Sequence, residues 1–265
     1  MMTTYPQTFR FARALFATNL KASLMLRGAF IMQVVFMALN NVAFFVFWWA
    51  LMRRVPDIRG WRLGDIQVLF GVVAASVGLA VSVGGGVRHL ARWINDGELD
   101  TLLVQPKPVL LYAVGMRSQA SGFGDMLSGI VFIVWSGKVS WAAAPLVAAT
   151  IVGSAIVFLA SGIIFYSLTF WLGRIELLAR QLWEVVVMFS LYPEPLFGGV
   201  LRFLLFTALP AGFVGYVPAR VVQHPSVEGV GVLIGAVIVY SAAAITVFNR
   251  GLRRYASGSR FGTFG

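Results

Sequence analysis

The sequence contains no cysteine, and it has few acidic residues and few histidines. Among 265 residues there are 10 Asp and Glu and only two histidines, His89 and His224. The absence of cysteine excludes disulfides and thiolate metal sites. Asp96, Glu98 and Asp100 lie close together in the chain, but no histidine or further carboxylate joins them. Because a cation site needs converging ligands, we expect no metal site.

Sequence motifs for catalysis and nucleotide binding are also lacking. The chain has no G-x-x-x-x-G-K-[ST] phosphate loop, no H-E-x-x-H pair and no G-x-S-x-G elbow. We therefore predict that the chain is not an enzyme and holds no cofactor of its own. Any energy that it uses has to come from another protein.

Apolar residues are present in excess. They make up 59% of the chain, and the mean hydropathy is +0.83, whereas a soluble domain is about 45–50% apolar. A spanning helix needs about 20 mainly apolar residues. The sequence thus predicts an all-α membrane protein.

Six transmembrane helices are predicted. Four uncharged stretches give spans at 28–52, 66–87, 143–173 and 229–249. Two weaker spans are predicted at 118–137, which carries Asp125, and at 177–192, which carries Glu184. Residues 1–27 form a cytoplasmic interfacial helix, and residues 250–265 form a cytoplasmic tail.

The apolar segment 193–225 is predicted to be an extracellular re-entrant helical hairpin between spans 5 and 6. Its part 193–222 contains four prolines, at Pro193, Pro195, Pro210 and Pro218. Proline removes a backbone donor and breaks a continuous helix, so one further span is not expected there.

Positive charge predicts the orientation. With six spans, 14 of the 21 Lys and Arg residues fall on the side of the two termini, which indicates cytoplasmic N and C termini. The cluster Arg53–Arg62 in the first external loop is an exception. The net charge of +11 is spread over several juxtamembrane segments, so membrane lipids rather than nucleic acid are the expected anionic partner.

The loop 88–117 has the features of a cytoplasmic docking site. Arg88 and Arg92 are four residues apart, as are Leu90 and Ile94, which suits a short amphipathic helix beside Trp93. The residues predicted to couple to a partner are Arg88, His89, Leu90, Arg92, Trp93, Ile94, Asp96, Glu98 and Asp100. We expect the apolar members to supply the buried contact and the charged members its rim.

Two separate motifs carry a family resemblance. Gly97–Leu111 reads GELDTLLVQPKPVLL, and Tyr192–Val222 reads YPEPLFGGVLRFLLFTALPAGFVGYVPARVV. In this order, with the predicted spans around them, they resemble the two signatures of ABC-2-type exporter permeases with about 260 residues. Gln105 departs from the arginine that is usual before the proline.

The resemblance implies a six-span half of a dimeric export channel in a bacterial inner membrane. Its implied partners are an ABC ATPase, a nucleotide-binding domain dimer that holds ATP and Mg, and a second permease, identical or homologous. Residues 88–100 would be the coupling helix and residues 9–27 the connecting helix beside it. The pathway would be capped by Tyr192, Pro193, Phe197, Arg202, Pro210, Phe213, Tyr216 and Pro218.

The second and fifth spans would line the pathway at the dimer interface. The candidate lining residues are Asn40, Asn41, Phe70, Val77, Val187, Met188 and Phe189. The five apolar members, from Phe70 to Phe189, favour an amphipathic or hydrophobic small molecule or a lipid-like compound as substrate, although such residues also serve ordinary helix packing. A non-transporting membrane scaffold or immunity subunit that binds a cytoplasmic partner is the alternative.

The predicted orientation can be tested with single cysteines in this cysteine-free chain. Ser257→Cys and Asn95→Cys should be shielded from an impermeant thiol reagent on intact cells, whereas Pro225→Cys should be labelled. Labelling at position 257 without labelling at 225 would reverse the predicted orientation.

Overall fold

The computed structural model describes residues 5–255 of the chain, with side chains from residue 10 onward. Residues 1–4 of the predicted interfacial helix therefore lie outside the described residues. Residues 256–265 of the predicted tail, including Ser257 and Arg260, likewise lie outside the described residues.

Within residues 5–255 the regular structure is helical, apart from one bridge between Ile58 and Trp61. The α-helices are α1 Tyr5–Met25, α2 Arg27–Arg54, α3 Leu63–Gly84, α4 Leu90–Asn95, α5 Asp100–Leu103, α6 Val109–Gly115, α7 Ser121–Trp135, α8 Ala144–Ser167, α9 Thr169–Leu172, α10 Glu176–Ser190, α11 Gly199–Leu205, α12 Val217–Gln223 and α13 Val227–Arg254. Gly85–His89, Trp141–Ala143 and Glu194–Leu196 form 3-10 turns, and Gly212–Tyr216 is a π-helical turn.

Four helical segments of the described chain are long and apolar enough to cross a membrane. They are Arg27–Arg54, Leu63–Asn95, Trp141–Leu172 and Val227–Arg254. Each contains or overlaps one of the four uncharged stretches. An apolar helix of about 20 residues matches the thickness of the hydrocarbon core of a bilayer. The chain is thus a multi-pass membrane protein.

The two weaker predicted spans correspond to shorter helices. α7 and α10 have 15 residues each, which at 1.5 Å per residue is about 22 Å, less than the roughly 30 Å of a hydrocarbon core. α7 lies inside the predicted range 118–137, and α10 begins one residue before the predicted range 177–192 and ends two residues before its end. Helix length alone supports four spans, and the crossing of these two stays a prediction.

α3 is the central helix of the bundle. It packs mainly against α7 and α8, while α2 covers the outer side of α7 and α13 covers that of α8. Of its most apolar window 83% is buried, compared with 11% for α2 and 17% for α13. The outer helices therefore present apolar surface to whatever surrounds the chain, and α3 does not.

The buried side chains form two main clusters at opposite ends of α3. One surrounds its C-terminal end and contains Leu90, Phe158 and Trp183. The other surrounds its N-terminal end and contains Trp48 and Tyr216. The first cluster unites α4, α8 and α10, and the second unites α2 with segment 193–225.

Two reciprocal glycine contacts set the distance between α3 and α7. A Cβ atom on Gly71 would lie 2.6 Å from the carbonyl oxygen of Gly129, and one on Gly129 would lie 2.5 Å from that of Gly71. Gly78 and Gly122 oppose each other in the same way, seven residues along each helix. Small residues at a membrane helix interface let the backbones approach closely.

A polar cluster joins α2 to α7 inside the bundle. The Asn41 amide nitrogen donates to the Asp125 carboxylate at 2.7 Å and lies 2.8 Å from the Ser128 hydroxyl oxygen. All three side chains are buried. An unpaired polar group in hydrocarbon costs several kcal/mol, so this cluster fixes how α2 sits on α7.

The glycine contacts predict a position-specific loss of stability. In Gly78→Ala the new methyl group meets the backbone of α7, so the helices have to separate at a cost of about 1–3 kcal/mol, as for overpacked cores. Gly235→Ala is the matched control, since nothing lies within 4 Å of that position. Thermal unfolding of the purified proteins in one detergent should show a lower midpoint for Gly78→Ala alone. Equal midpoints would contradict the close packing.

Candidate functional site

The turn after α3 contains three consecutive glycines. α3 ends at Gly84, a 3-10 turn covers Gly85–His89, and α4 begins at Leu90. A Cβ atom on Gly86 would overlap the carbonyl oxygen of Ala113 in α6. Glycine at this position permits a contact that a side chain would prevent.

The apolar side chains of α4 lie in the core of the chain. Leu90, Trp93 and Ile94 are only 1%, 4% and 8% exposed, and they join the cluster that contains Phe158 and Tyr166 of α8. The apolar side of this amphipathic helix therefore faces the bundle, and in this chain the three side chains are not open to a partner. Their role in coupling stays a prediction.

The side chains that point away from the core are mostly charged. Arg92, Asp96 and Glu98 are exposed, whereas Asp100 is half-buried. The next turn exposes two apolar residues, Leu103 at 42% and Val104 at 84%. We call Arg92, Asp96, Glu98, Leu103 and Val104 the outward surface.

Arg88 connects this segment to two neighbouring helices. Its guanidinium Cζ lies 5.3 Å from the ring centroid of Trp183 in α10. Trp183 stacks on Phe158 with centroids 4.5 Å apart and donates its indole N–H to the Phe158 carbonyl at 2.9 Å. The end of α3 is thereby held to α8 and α10 through a cation–π contact and a buried hydrogen bond.

His89 belongs to the same segment. Its ring stacks on Trp93 with centroids 5.7 Å apart, and Arg92 donates to its Nδ1 at 3.3 Å. These contacts connect the partly buried imidazole to the core on one side and to the outward surface on the other. His89 therefore orients Arg92.

The N-terminal helix lies beside the segment that follows α4. The Asn19 amide donates to the Gly115 carbonyl at 2.5 Å, and the rings of Phe11 and Tyr112 lie 5.7 Å apart. The Lys107 ammonium lies 4.4 Å from the Phe11 ring centroid. α1 and the segment from α4 to α6 thus share one face of the chain.

Segment 193–225 is organised by one buried carboxylate. Glu194 accepts from Arg202 of α11 and from Arg220 of α12, each at 2.7 Å and each through a different oxygen. Its side chain is 6% exposed, whereas those of the two arginines are 58% and 61% exposed. Because each oxygen has its own partner, the carboxylate holds the two short helices together.

Tyrosine and serine hydroxyls attach this segment to α10. The Tyr216 hydroxyl donates to the Phe189 carbonyl, and the Ser190 hydroxyl lies 3.2 Å from the Ala211 carbonyl oxygen. Burial raises the pKa of the Tyr216 phenol, and the Glu194 carboxylate raises it further. The phenol therefore remains a donor at all physiological pH values.

The other residues expected in the cap lie in the same region. Pro193, Pro210 and Pro218 are buried. Tyr192 packs on Trp48 with centroids 5.5 Å apart. Further ring contacts join Phe197 to Phe189 and Phe213 to Tyr240. All eight expected residues thus lie within or beside one packed unit.

Basic residues between α2 and α3 contact their surroundings closely. Arg59 donates to the Pro195 carbonyl at 2.5 Å, and the Arg53 guanidinium lies 4.5 Å from the Trp49 ring centroid. The Arg62 amide donates to Asp65, which is the first-turn carboxylate of α3. Two of the four basic side chains in Arg53–Arg62, those of Arg53 and Arg59, therefore have partners within the chain.

Three of the residues proposed to line a pathway, Phe70, Val77 and Phe189, belong to the cluster at the N-terminal end of α3, and the others lie in α2 and α10. Phe70 is 2% exposed and packs among aromatic rings at the N-terminal end of α3, so it is a core residue rather than a lining residue. Asn41 is buried in the polar cluster, whereas Asn40 and Met188 are exposed. Val77, Val187 and Phe189 are partly buried.

Two functional features were missed in the sequence. Glu194 stands next to a signature proline but was given no role, although a carboxylate between prolines in an apolar segment is a usable signal. Asp125 was noted only as an interruption of a span. Among the described residues, no three His, Asp or Glu side chains are grouped so that they could hold a metal ion.

These features define a multi-pass membrane protein. At one end of its helix bundle, α1 and the segment from α4 to α6 share one face. In a comparison with known protein families, the family model described as ABC-2 family transporter protein matches residues 23–259. The chain belongs to this family and is a membrane component of an ABC-2 transporter. No curated protein and no solved structure matched the chain.

Glu194→Gln should destabilise the chain. The amide keeps the shape and one acceptor but loses the charge, which removes part of two charge-assisted bonds worth about 1.5–3 kcal/mol each. Glu184→Gln is the control, because its pair with Arg180 is exposed and 3.7 Å long and should contribute at most about 1 kcal/mol. Thermal unfolding in detergent should show a lower midpoint only for Glu194→Gln. An equal shift in both variants would mean that Glu194 does not organise segment 193–225.

Proposed function

We propose that this chain is the transmembrane permease subunit of an ABC exporter, powered by a separate ATPase subunit. It forms the translocation pathway as a dimer with itself or with a related permease. Family membership supports a transporter role and implies an ATPase partner. The observation that carries the mechanism is the contact of Arg88 with Trp183, which connects the segment after α3 to α8 and α10.

The ATPase binds at the outward surface. Its charged residues give orientation, and the exposed Leu103 and Val104 give the apolar contact that a stable interface requires. The buried Leu90, Trp93 and Ile94 act behind this surface by making the segment rigid. A displacement of the outward surface is then transmitted through Arg88 to α10 rather than absorbed by a flexible loop.

The chain crosses a bacterial inner membrane six times, with both termini in the cytoplasm. The bias of positive charge supports this orientation. α7 and α10 complete the six spans, although each is short. Their flanking residues and local bilayer thinning accommodate the difference, at a cost of fractions of a kcal/mol per ångström.

Segment 193–225 is an external re-entrant cap. Irregular backbone at membrane depth is tolerated only where protein covers it, and here Pro193, Pro210 and Pro218 are buried and the helices are short. The Glu194 contacts hold the cap together, and Tyr216 and Ser190 hold it to α10. Movement of α10 therefore moves the cap, which gives a route from the ATPase side to the exit.

The second permease packs on exposed apolar helix faces. α3 is enclosed within the chain, so the interface expected for the second span falls to the outer helices. α10 exposes Leu177, Leu178 and Met188, and α2 exposes Asn40 among apolar residues. Faces of this composition suit an amphipathic or hydrophobic substrate, or a lipid-like compound, passing between two permeases.

Purification from the native host tests the assignment. The tagged wild-type chain should recover an ABC ATPase, identified by mass spectrometry through its phosphate-loop sequence. Val104→Asp should reduce this recovery about tenfold or more, because a charge then enters the apolar part of the interface. Val227→Asp is the matched control, since Val227 is 92% exposed at the start of α13, away from the outward surface.

Trp93→Ala separates rigidity from direct contact. Truncation of this buried indole should lower the unfolding midpoint, at a cost of about 3–5 kcal/mol, whereas Val104→Asp should leave it unchanged. Normal ATPase recovery by Val104→Asp would place the contact elsewhere. Absence of any ATPase from the wild-type sample would favour the scaffold or immunity subunit.

A further inference from the structure

A polar cavity lies where the N-terminal helix meets the first span. Its volume is about 310 Å³, and it lies between the break at Leu26 and the turn that precedes α7. The lining residues are Ala22, Ser23, Leu26, Ala29, Phe30, Gln33 and residues 118–121. The cavity thus lies between the junction of α1 with α2 and a turn about 90 residues further along the chain.

Several hydrogen-bonding groups at this cavity lack a partner within the described chain. The side chains of Ser23, Gln33, Gln119 and Ser121 form no hydrogen bond with any residue in 5–255, whereas Ser118 bonds to the Ser82 carbonyl. Hydroxyl and amide groups can all donate. A ligand with several acceptor oxygens would satisfy them together.

An apolar groove with two cations adjoins the cavity and shares Phe30 with it. The groove is about 670 Å³ in volume, and Lys21, Leu24, Met25, Arg27, Phe30 and Ile31 line it. Within residues 5–255, Lys21 and Arg27 take part in no ion pair. No acidic side chain lines either space.

We propose that this composite site binds one anionic phospholipid. The phosphate accepts from the unpartnered donors of the cavity, Lys21 and Arg27 neutralise its charge, and an acyl chain occupies the groove along Leu24, Met25 and Ile31. An amphipathic ligand matches this site, because the cavity offers hydrogen-bond donors and the adjoining groove offers two cations and a hydrocarbon surface. The break at Leu26, where the interfacial helix becomes the span, is at the depth of the headgroups.

The site does not involve the outward surface or the ATPase. Assignment of the lipid to the cytoplasmic leaflet rests on the proposed orientation, but binding itself does not. A bound lipid would hold α1, α2 and the start of α7 together at the end of the bundle where α1 packs on α6.

Native mass spectrometry of the full-length purified chain in detergent tests the proposal. Phosphatidylglycerol and phosphatidylcholine with identical acyl chains are titrated separately, and glycerol 3-phosphate serves as the headgroup alone. We expect stoichiometric binding of phosphatidylglycerol and weaker binding of phosphatidylcholine. Each cation close to an anionic headgroup accounts for about a fivefold change in affinity, so Lys21→Gln with Arg27→Gln should weaken phosphatidylglycerol binding about 25-fold.

Two further variants keep the test decisive. Arg253→Gln with Arg254→Gln removes the same charge from the end of α13 and should leave the affinity unchanged. Ala29→Phe fills the cavity without changing charge and should weaken binding. Ala29 is exposed, and the unfolding midpoint checks that this variant keeps the fold.

Three results would overturn the proposal: equal affinity for the two lipids, an equal loss in the Arg253 and Arg254 control, or binding of glycerol 3-phosphate as tight as that of the lipid, which would indicate a soluble phosphate ligand. None of these measurements uses transport or ATPase recovery. Failure of the lipid site therefore leaves the proposed function standing, and the reverse also holds.

Discussion

The close approach of α3 and α7 is the constraint on which the rest of the bundle depends. Because Gly71 and Gly78 face Gly129 and Gly122 across the interface, backbone touches backbone over two turns of each helix. Lipid offers no hydrophobic drive for helix association, so dispersion contacts of this kind have to hold the helices together. With α3 enclosed, α2 and α13 are left on the outside, and the two side-chain clusters form at its ends.

The same interface shows what the sequence could and could not predict. Long apolar stretches identified four spans because the bilayer imposes a minimum length on any uncharged helix. The sequence did not indicate which helix faces are in contact. Gly231 and Gly235 have the four-residue spacing that favours close helix packing, but both face open space. The glycines in contact are instead separated by seven residues and lie in two helices. Composition predicts that a helix is in the membrane. Only the helix–helix contacts of the structure show which of its faces is buried against another helix.

The outward surface shows a related limit. Periodicity correctly placed a short helix at α4, which ends at Asn95 before the turn at Gly97. It could not tell whether the apolar side faces a partner or the chain itself, since both give the same spacing. The contacts of Glu194 and Arg59 could not be inferred from the sequence either. Their partners lie on other elements, and a charge in an apolar segment indicates burial or pairing without naming the partner.

The polar cluster of Asn41 also has a consequence for the order of events during synthesis. α2 emerges from the ribosome before α7 exists, because Asn41 and Asp125 are separated by 84 residues. At about 5–20 residues per second, Asn41 waits roughly 4–17 seconds for its acceptor. During that interval α2 has only apolar surface and an unpaired amide to offer the bilayer. The first span is therefore made before the helix that supplies its hydrogen-bond partner, and its packing is complete only after α7 has entered the membrane.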